Sequence, residues 1–178
     1  MNKKVTLLFL INLFLGIQMY AQSGTESKAS VGFQLNQFQT DFGLGVNIAM
    51  PPIIKEKLVI RLRANAMFYE QIIDAKTDWT VYSNIMIGIS PKQVKVADFL
   101  ALYGEGGVIG ILPSSEFSTS NFNIGGYGLF GFEFYFAPEF NYFIELGGVG
   151  TGATADKLLN DPIYSNGFLA SVGWRINF

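Results

Sequence analysis

The stretch Phe168-Leu169-Ala170-Ser171-Val172-Gly173-Trp174-Arg175-Ile176-Asn177-Phe178 carries apolar residues at every even position. The odd positions are Leu169, Ser171, Gly173, Arg175 and Asn177, largely small or polar. A period of two places alternate residues on opposite faces of a strand, so this segment reads as a β-strand with one greasy face and one polar face.

The same period recurs upstream. Phe42, Leu44, Val46, Ile48 and Met50 oppose Gly43, Gly45, Asn47 and Ala49. Leu58, Ile60, Leu62, Ala64, Ala66 and Phe68 oppose Val59, Arg61, Arg63, Asn65, Met67 and Tyr69. Trp79, Val81, Ile85, Ile87 and Ile89 oppose Thr80, Tyr82, Asn84, Gly88 and Ser90. Phe122, Ile124, Phe130, Phe132, Phe134 and Phe136 oppose Asn123, Gly125, Tyr127, Gly131 and Glu133. Residues 29–35, 100–110 and 142–150 are shorter or glycine-richer versions, which brings the reading to about eight strands. Pro51-Pro52, Ser90-Pro91 and Ala137-Pro138 mark alternate junctions, because proline cannot donate to a ladder and sets a turn.

Composition narrows the setting. The 178 residues include 20 Gly and 17 Phe, no Cys and no His, with only 15% charged residues and a net charge of -2. Without His or Cys there is no His-dependent triad, thiol nucleophile, disulfide or ordinary zinc site. No basic surface argues for nucleic acid. Residues 1–22 have the layout of a cleaved signal peptide: Lys3 and Lys4, an apolar run of about 11 residues from Val5 to Leu15, then Ala21 and Gln22. Residues 23–178 are expected to form one β-barrel domain. Within them no apolar run approaches the ~18 residues of a spanning helix.

Volume decides which face turns outward. Eight strands enclose only enough room for side chains, too little for so many Phe rings. Phe outward and Gly inward fits. In water that exterior would be one large aggregating patch, whereas in lipid it is the required surface.

The ending Gly173-Trp174-Arg175-Ile176-Asn177-Phe178 resembles the terminal strand of bacterial outer-membrane β-barrel proteins. The resemblance implies that Trp174, Ile176 and Phe178 belong to the signal read by the barrel-assembly machinery. Residues 23–178 are similar to the small eight-stranded outer-membrane barrels, the size class of the OmpX and OmpA barrels. The Ala21-Gln22 junction resembles signal-peptide ends of Bacteroidetes. The fold expected is therefore an all-β, transmembrane, up-and-down antiparallel barrel of eight strands in a Gram-negative outer membrane. An internal repeat of about 40 residues agrees with stacked hairpins: residues 103–110 are echoed at 144–150, and the strand ending at Phe136 aligns with that ending at Phe178.

Connection lengths imply an orientation, since such barrels have short periplasmic turns and longer outer loops. Residues 51–57, 91–98 and 137–141 are expected to be periplasmic, as are both termini. Residues 37–41, 70–78, 113–121 and 151–166 are expected outside. Aromatics gather near both rims, Phe136, Tyr142 and Phe178 at one and Phe42, Phe68, Trp79, Phe122 and Phe168 at the other.

Six charged residues fall on inward positions: Arg61, Arg63 and Arg175 against Glu105, Glu133 and Glu145. One unpaired charge in so narrow a lumen costs several kcal/mol, so a paired network is predicted. It either fills and locks the core or forms a gated proton or ion path. No glycine-rich segment fits a phosphate-binding fingerprint. Asp74, Asp78, Asp156 and Asp161 lie in loops without a calcium-loop pattern. No nucleophile elbow is present, and no enzyme activity, catalytic residue, metal or cofactor is expected. Three function classes remain. The first is a structural or envelope-maintenance barrel. The second is an interaction protein, either a subunit of a larger outer-membrane assembly or an adhesin-like binder. The third is a small channel. For the subunit, outward Gly104, Gly106, Gly126 and Gly128 would supply a protein-facing stripe.

Overall fold

The computed structural model describes residues 29–73 and 76–178, so the expected leader and Asp74 lie outside the described residues. Nine strands follow in order: β1 (Ser30–Phe38), β2 (Asp41–Ala49), β3 (Leu58–Ile73), β4 (Lys76–Pro91), β5 (Val94–Ala97), β6 (Leu100–Leu112), β7 (Asn123–Ala137), β8 (Phe140–Gly150) and β9 (Gly167–Asn177). Each long strand pairs antiparallel with the next, β1 pairs with β9, and β4 pairs with β6. Eight long strands thus close into a barrel, with the four-residue β5 as an addition at one end.

Alternation sorts the side chains as the sequence period requires. Val46, Ile85, Phe130 and Val172 point outward and keep between 45% and 51% of their surface exposed. Arg61, Arg63, Asn65 and Met67 point inward from β3 and are buried. The barrel has a turn end, with connections near residues 50–57, 92–99 and 138–139. At its loop end lie residues 113–122 and 151–166.

Two expected connections are corrected. Residues 91–98 are not merely a turn, because Pro91 ends β4 opposite Leu58 and β5 follows. The β4–β6 ladder stops at Ile89↔Gly106, which leaves the first residues of β6 without that neighbour. The chain folds back so that β5 pairs with Leu100–Leu102 and supplies the missing backbone partners. Residues 70–78 are not an open loop either. β3 and β4 continue to Ile73 and Lys76, with Gln71 opposite Asp78. A ladder that stands beyond the apolar belt needs no greasy outer face, so hydropathy stops alternating while the hydrogen bonds go on.

The outward face generates a sharp test of its solvent. Ile85 lies mid-height, opposite Ala64 on β3 and Gly110 on β6. Ile85→Arg is expected to lower stability by about 2–4 kcal/mol in lipid vesicles, measured by urea unfolding. For an exposed site on a water-facing surface the change would stay within about 0.5 kcal/mol.

Candidate functional site

Two arginines reach the lumen from β3 because Arg61 and Arg63 are two residues apart and share a face. Arg175 enters from β9, and Glu105, Glu133 and Glu145 enter from β6, β7 and β8. All six are buried. Three carboxylates on three adjacent strands would repel, and the arginines resolve this by bridging them pairwise.

Arg61 spans Glu105 and Glu133, at 3.3 Å to each. Arg63 donates through both terminal nitrogens to Glu105 and lies 2.9 Å from Glu145. Arg175 lies 2.5 Å from Glu133 and 2.8 Å from Glu145. Every arginine therefore holds two glutamates and every glutamate two arginines, in a closed ring of alternating charge. Its formal charge sums to zero, which is what a site cut off from water demands.

Each glutamate also accepts from one tyrosine hydroxyl. Tyr127 donates to Glu105 at 2.6 Å, Tyr135 to Glu133 at 2.7 Å, and Tyr103 to Glu145. The Arg61 guanidinium lies 3.9 Å over the Tyr103 ring, and that of Arg175 lies 3.8 Å over Phe143. Glycine makes the room. A Cβ on Gly88 would overlap the Tyr127 hydroxyl and the Glu105 carboxylate, and one on Gly131 would overlap the Tyr103 ring. The sequence reading selected the six charges and missed the tyrosine collar. Its signal was present, since Tyr103 and Tyr135 stand two residues from Glu105 and Glu133 on the same inward face.

Two further layers lie toward the loop end. Asn65 is the hub of an amide layer, accepting from Gln34 and Asn36 at 2.9 Å each and donating to Asn84 at 2.7 Å. Beyond it the lumen turns apolar, with Met67, Met86, Ile109, Ile111 and Leu169 in one cluster. Phe117 and Tyr164 drop into this cluster from the two long loops, their ring centroids 4.8 Å apart. The segments expected to be merely polar loops thus plug the barrel mouth. Asp41 secures them, accepting from the Tyr82 hydroxyl at 2.6 Å and the Ser165 backbone N–H at 2.7 Å.

Asp156 ties one loop to the other, accepting from the Thr119 backbone N–H at 2.8 Å, from the Thr119 hydroxyl, and from Ser118 at 3.0 Å. Among the described residues no group of three or more acidic side chains is placed to hold a metal. Trp174, Ile176 and Phe178 sit on the outer face, and Trp174 stacks on Phe140 at 5.9 Å.

The barrel has solved counterparts of the same architecture. The N-terminal β-barrel domain of Pseudomonas aeruginosa OprF superposes with a TM-score of 0.60 at 12% identity, covering 86% of this chain and 98% of that one. The fold is that of a small transmembrane β-barrel. A de novo designed transmembrane β-barrel gives 0.56 at 10% identity, covering 88% of this chain and all of the design. Yersinia pestis Ail, in a phospholipid bilayer nanodisc, gives 0.53 at 15% identity, covering 86% of this chain and 100% of that one. No family model and no curated protein matches the chain.

Removing one ring member should cost far more than removing a surface ion pair. Arg175→Met leaves Glu133 and Glu145 with one arginine each and an excess negative charge, an expected loss of about 3–5 kcal/mol in urea unfolding. Adding Glu133→Gln to that background should recover part of the loss, with a coupling of about 0.5–3 kcal/mol.

The loop tie titrates separately. Hydrogen bonds from the Thr119 hydroxyl and backbone N–H hold the Asp156 carboxyl at about 2, below its ordinary 3.8. A depressed folded value stabilises above the unfolded one and is lost as pH falls through the folded one. Protection of the Thr119 amide, taken as its exchange rate relative to that of an unstructured amide at the same pH, is therefore expected to be high at pH 5 and to fall as pH drops from about 4 to about 2.

Proposed function

We propose that this protein is a non-enzymatic integral outer-membrane barrel with a structural or envelope-maintenance role. The observation that carries the reading is the filled lumen. A closed charge ring, an amide layer and an apolar plug occupy it in succession, which is the construction of a strut rather than a conduit. The outward apolar belt supports residence in outer-membrane lipid. On this reading residues 1–22 are a leader cleaved after Ala21 or Gln22, of the type found in Bacteroidetes. The turn end and both termini then face the periplasm. Trp174, Ile176 and Phe178 are the residues engaged by the barrel-assembly machinery during insertion.

A second reading, as a subunit of a larger outer-membrane assembly, is favoured by one specific feature. Gly106, Gly128 and Gly148 lie side by side across β6, β7 and β8, with Gly126 opposite Gly150 beside them. A Cβ at Gly106, Gly126 or Gly128 would meet no atom closer than 3.7 Å, so this lane is a shallow trough in the outer wall. Small outward residues allow close approach of another membrane-embedded chain.

Extraction of the native protein from outer membranes in mild detergent distinguishes the readings. The strut should appear as a lone particle with heat-dependent gel mobility and no steady conductance in planar bilayers. Stoichiometric companions that cross-link to β6–β8 would establish the subunit. Recovery in the soluble fraction, or stable single-channel currents, would overturn the proposal.

A further inference from the structure

At the loop end the β3–β4 ladder outlasts its neighbours. β2 stops pairing with β3 at Phe42↔Phe68, and β6 stops pairing with β4 at Ser83↔Leu112. β3 and β4 stay paired as far as Ile73↔Lys76. The residue that follows Leu112 is Pro113, which has no N–H to give to β4. The chain turns there, with the Ser114 carbonyl accepting from the Phe117 and Ser118 N–H groups, and Phe117 enters the plug. Residues 77–82 are thereby left as an edge strand where β6 departs.

Parity fixes which groups this edge presents. The Met50 N–H donates to the Ile60 carbonyl, so even residues of β3 turn their backbone polar groups to β2 and odd ones to β4. Odd β3 residues stand opposite even β4 residues, as Gln71 stands opposite Asp78. Thr77, Trp79 and Val81 therefore turn theirs to the side that β6 has left. Among the described residues no backbone–backbone hydrogen bond outside the strand ladders engages these three. The Trp79 N–H instead donates to the carboxylate of its own neighbour, Asp78, at 3.0 Å. The run Thr77-Asp78-Trp79-Thr80-Val81-Tyr82 holds neither the Pro nor the Lys that commonly blunts an edge, and most of it favours extended chain.

The two faces of the edge differ in chemistry. Trp79 and Val81 lie on the outer face, 49% and 51% exposed. Asp78 and Thr80 share the other face, where Glu116 accepts from the Thr80 hydroxyl at 3.1 Å. Lys157 stands near this pair of acids and is held by the Ser115 carbonyl, to which it donates at 2.6 Å.

We infer that this edge takes up an extended segment of another protein, paired as a strand with residues 77–81, whose alternate residues are basic on one face and apolar on the other. The basic face follows from Asp78. A strand carbonyl that accepts the Trp79 N–H releases the Asp78 carboxylate, which then pairs with a cation, and Glu116 offers a second carboxylate at the next position on that face. The apolar face follows from Trp79 and Val81, which become its cross-strand neighbours. Such pairing asks nothing of the turn end or the lumen, so it holds whether the barrel acts alone or as a subunit.

The test uses the full refolded barrel in phosphatidylcholine nanodiscs at low ionic strength, with heat-dependent gel mobility as the folding check for every variant. The probe is the peptide Lys-Val-Lys-Val-Lys-Val, blocked at both ends. Its Glu-Val counterpart and a Lys-Val form methylated on alternate backbone nitrogens are the control peptides, and empty nanodiscs report binding to lipid. Binding is followed by titration and by amide hydrogen exchange of the barrel. Val81→Pro removes an edge N–H that the β3–β4 ladder does not use, Asp78→Asn removes the charge, and Asp161→Asn removes a loop-end charge away from the edge. The Lys-Val peptide is expected to bind saturably and to slow exchange at Thr77, Trp79 and Val81, while neither control peptide does so. Affinity should fall by about tenfold in Val81→Pro. It should fall by about two- to fivefold in Asp78→Asn and stay unchanged in Asp161→Asn. Unaltered exchange at the three amides, equal binding of the Lys-Val and Glu-Val peptides, or equal behaviour of Val81→Pro and Asp161→Asn would overturn the proposal. Slowing that needs no peptide and grows with barrel concentration would assign the edge to a second copy of the chain, and would overturn it as well.

Discussion

The seam where β4 meets β6 turns a sheet into a barrel, and most of what distinguishes this molecule depends on that closure. A closed sheet has no edge around its middle, so the backbone donors there find partners without water. An apolar exterior becomes tolerable only then. Closure by eight strands also fixes the bore, and the bore sets the composition. Bulky rings go to the wall's outer side, and the inner side alternates long polar arms with glycine. The abundance of both Phe and Gly in one short chain is the volume constraint written as composition. Tyrosines turn inward where their hydroxyls find carboxylates, and two strand phenylalanines, Phe38 and Phe143, go inward where there is something to cover: the loop-end cluster for one, the Arg175 guanidinium for the other.

Within that bore the charged ring solves two problems together. Three neighbouring carboxylates cannot be buried without compensation, and three guanidinium groups cannot be buried without acceptors. Each arginine is shared between two glutamates, so no charge depends on a single contact. The tyrosine hydroxyls add a third partner to each carboxylate. Buried ion pairs taken singly contribute little to stability because desolvation offsets attraction. A closed cycle differs in kind, because it fixes the mutual positions of β3, β6, β7, β8 and β9 across the lumen as well as along the sheet.

Much of this is legible in the amino-acid sequence. Period-two alternation assigned the faces of β2, β3, β4, β7 and β9 as the structure has them, because a half-buried strand leaves a strong signal. The same parity put Arg61, Arg63, Glu105, Glu133, Glu145 and Arg175 in the lumen. Parity gives a face and a depth, though, and not a partner across the bore, so which arginine meets which glutamate was out of reach. The plug was missed for a different reason. Phe117 sits alone among polar residues and Tyr164 follows Pro162-Ile163 in a loop of mixed polarity, and an aperiodic loop gives no face to read. A single aromatic in a serine-rich loop was the available hint. β5 escaped because its existence depends on where β4 stops pairing with β6, a property of the assembled sheet.

Arg175 shows what the ring contributes to assembly. It lies on β9, which borders β1 across the seam joining the two ends of the described chain. It touches Asn47 on β2, Glu133 on β7 and Glu145 on β8. If β9 paired one residue out of step, its side-chain faces would exchange, placing a guanidinium in the hydrocarbon and Trp174 in the bore. A slip of two would keep the face but move the cation along the axis, away from both of its carboxylates. The hydrogen-bond ladder alone scarcely distinguishes such offsets, since backbone repeats every two residues. The charge ring does. It therefore acts as a register gauge, satisfied only when β9 pairs in step with both β1 and β8, and an incomplete or misaligned barrel carries an electrostatic penalty that the finished one lacks.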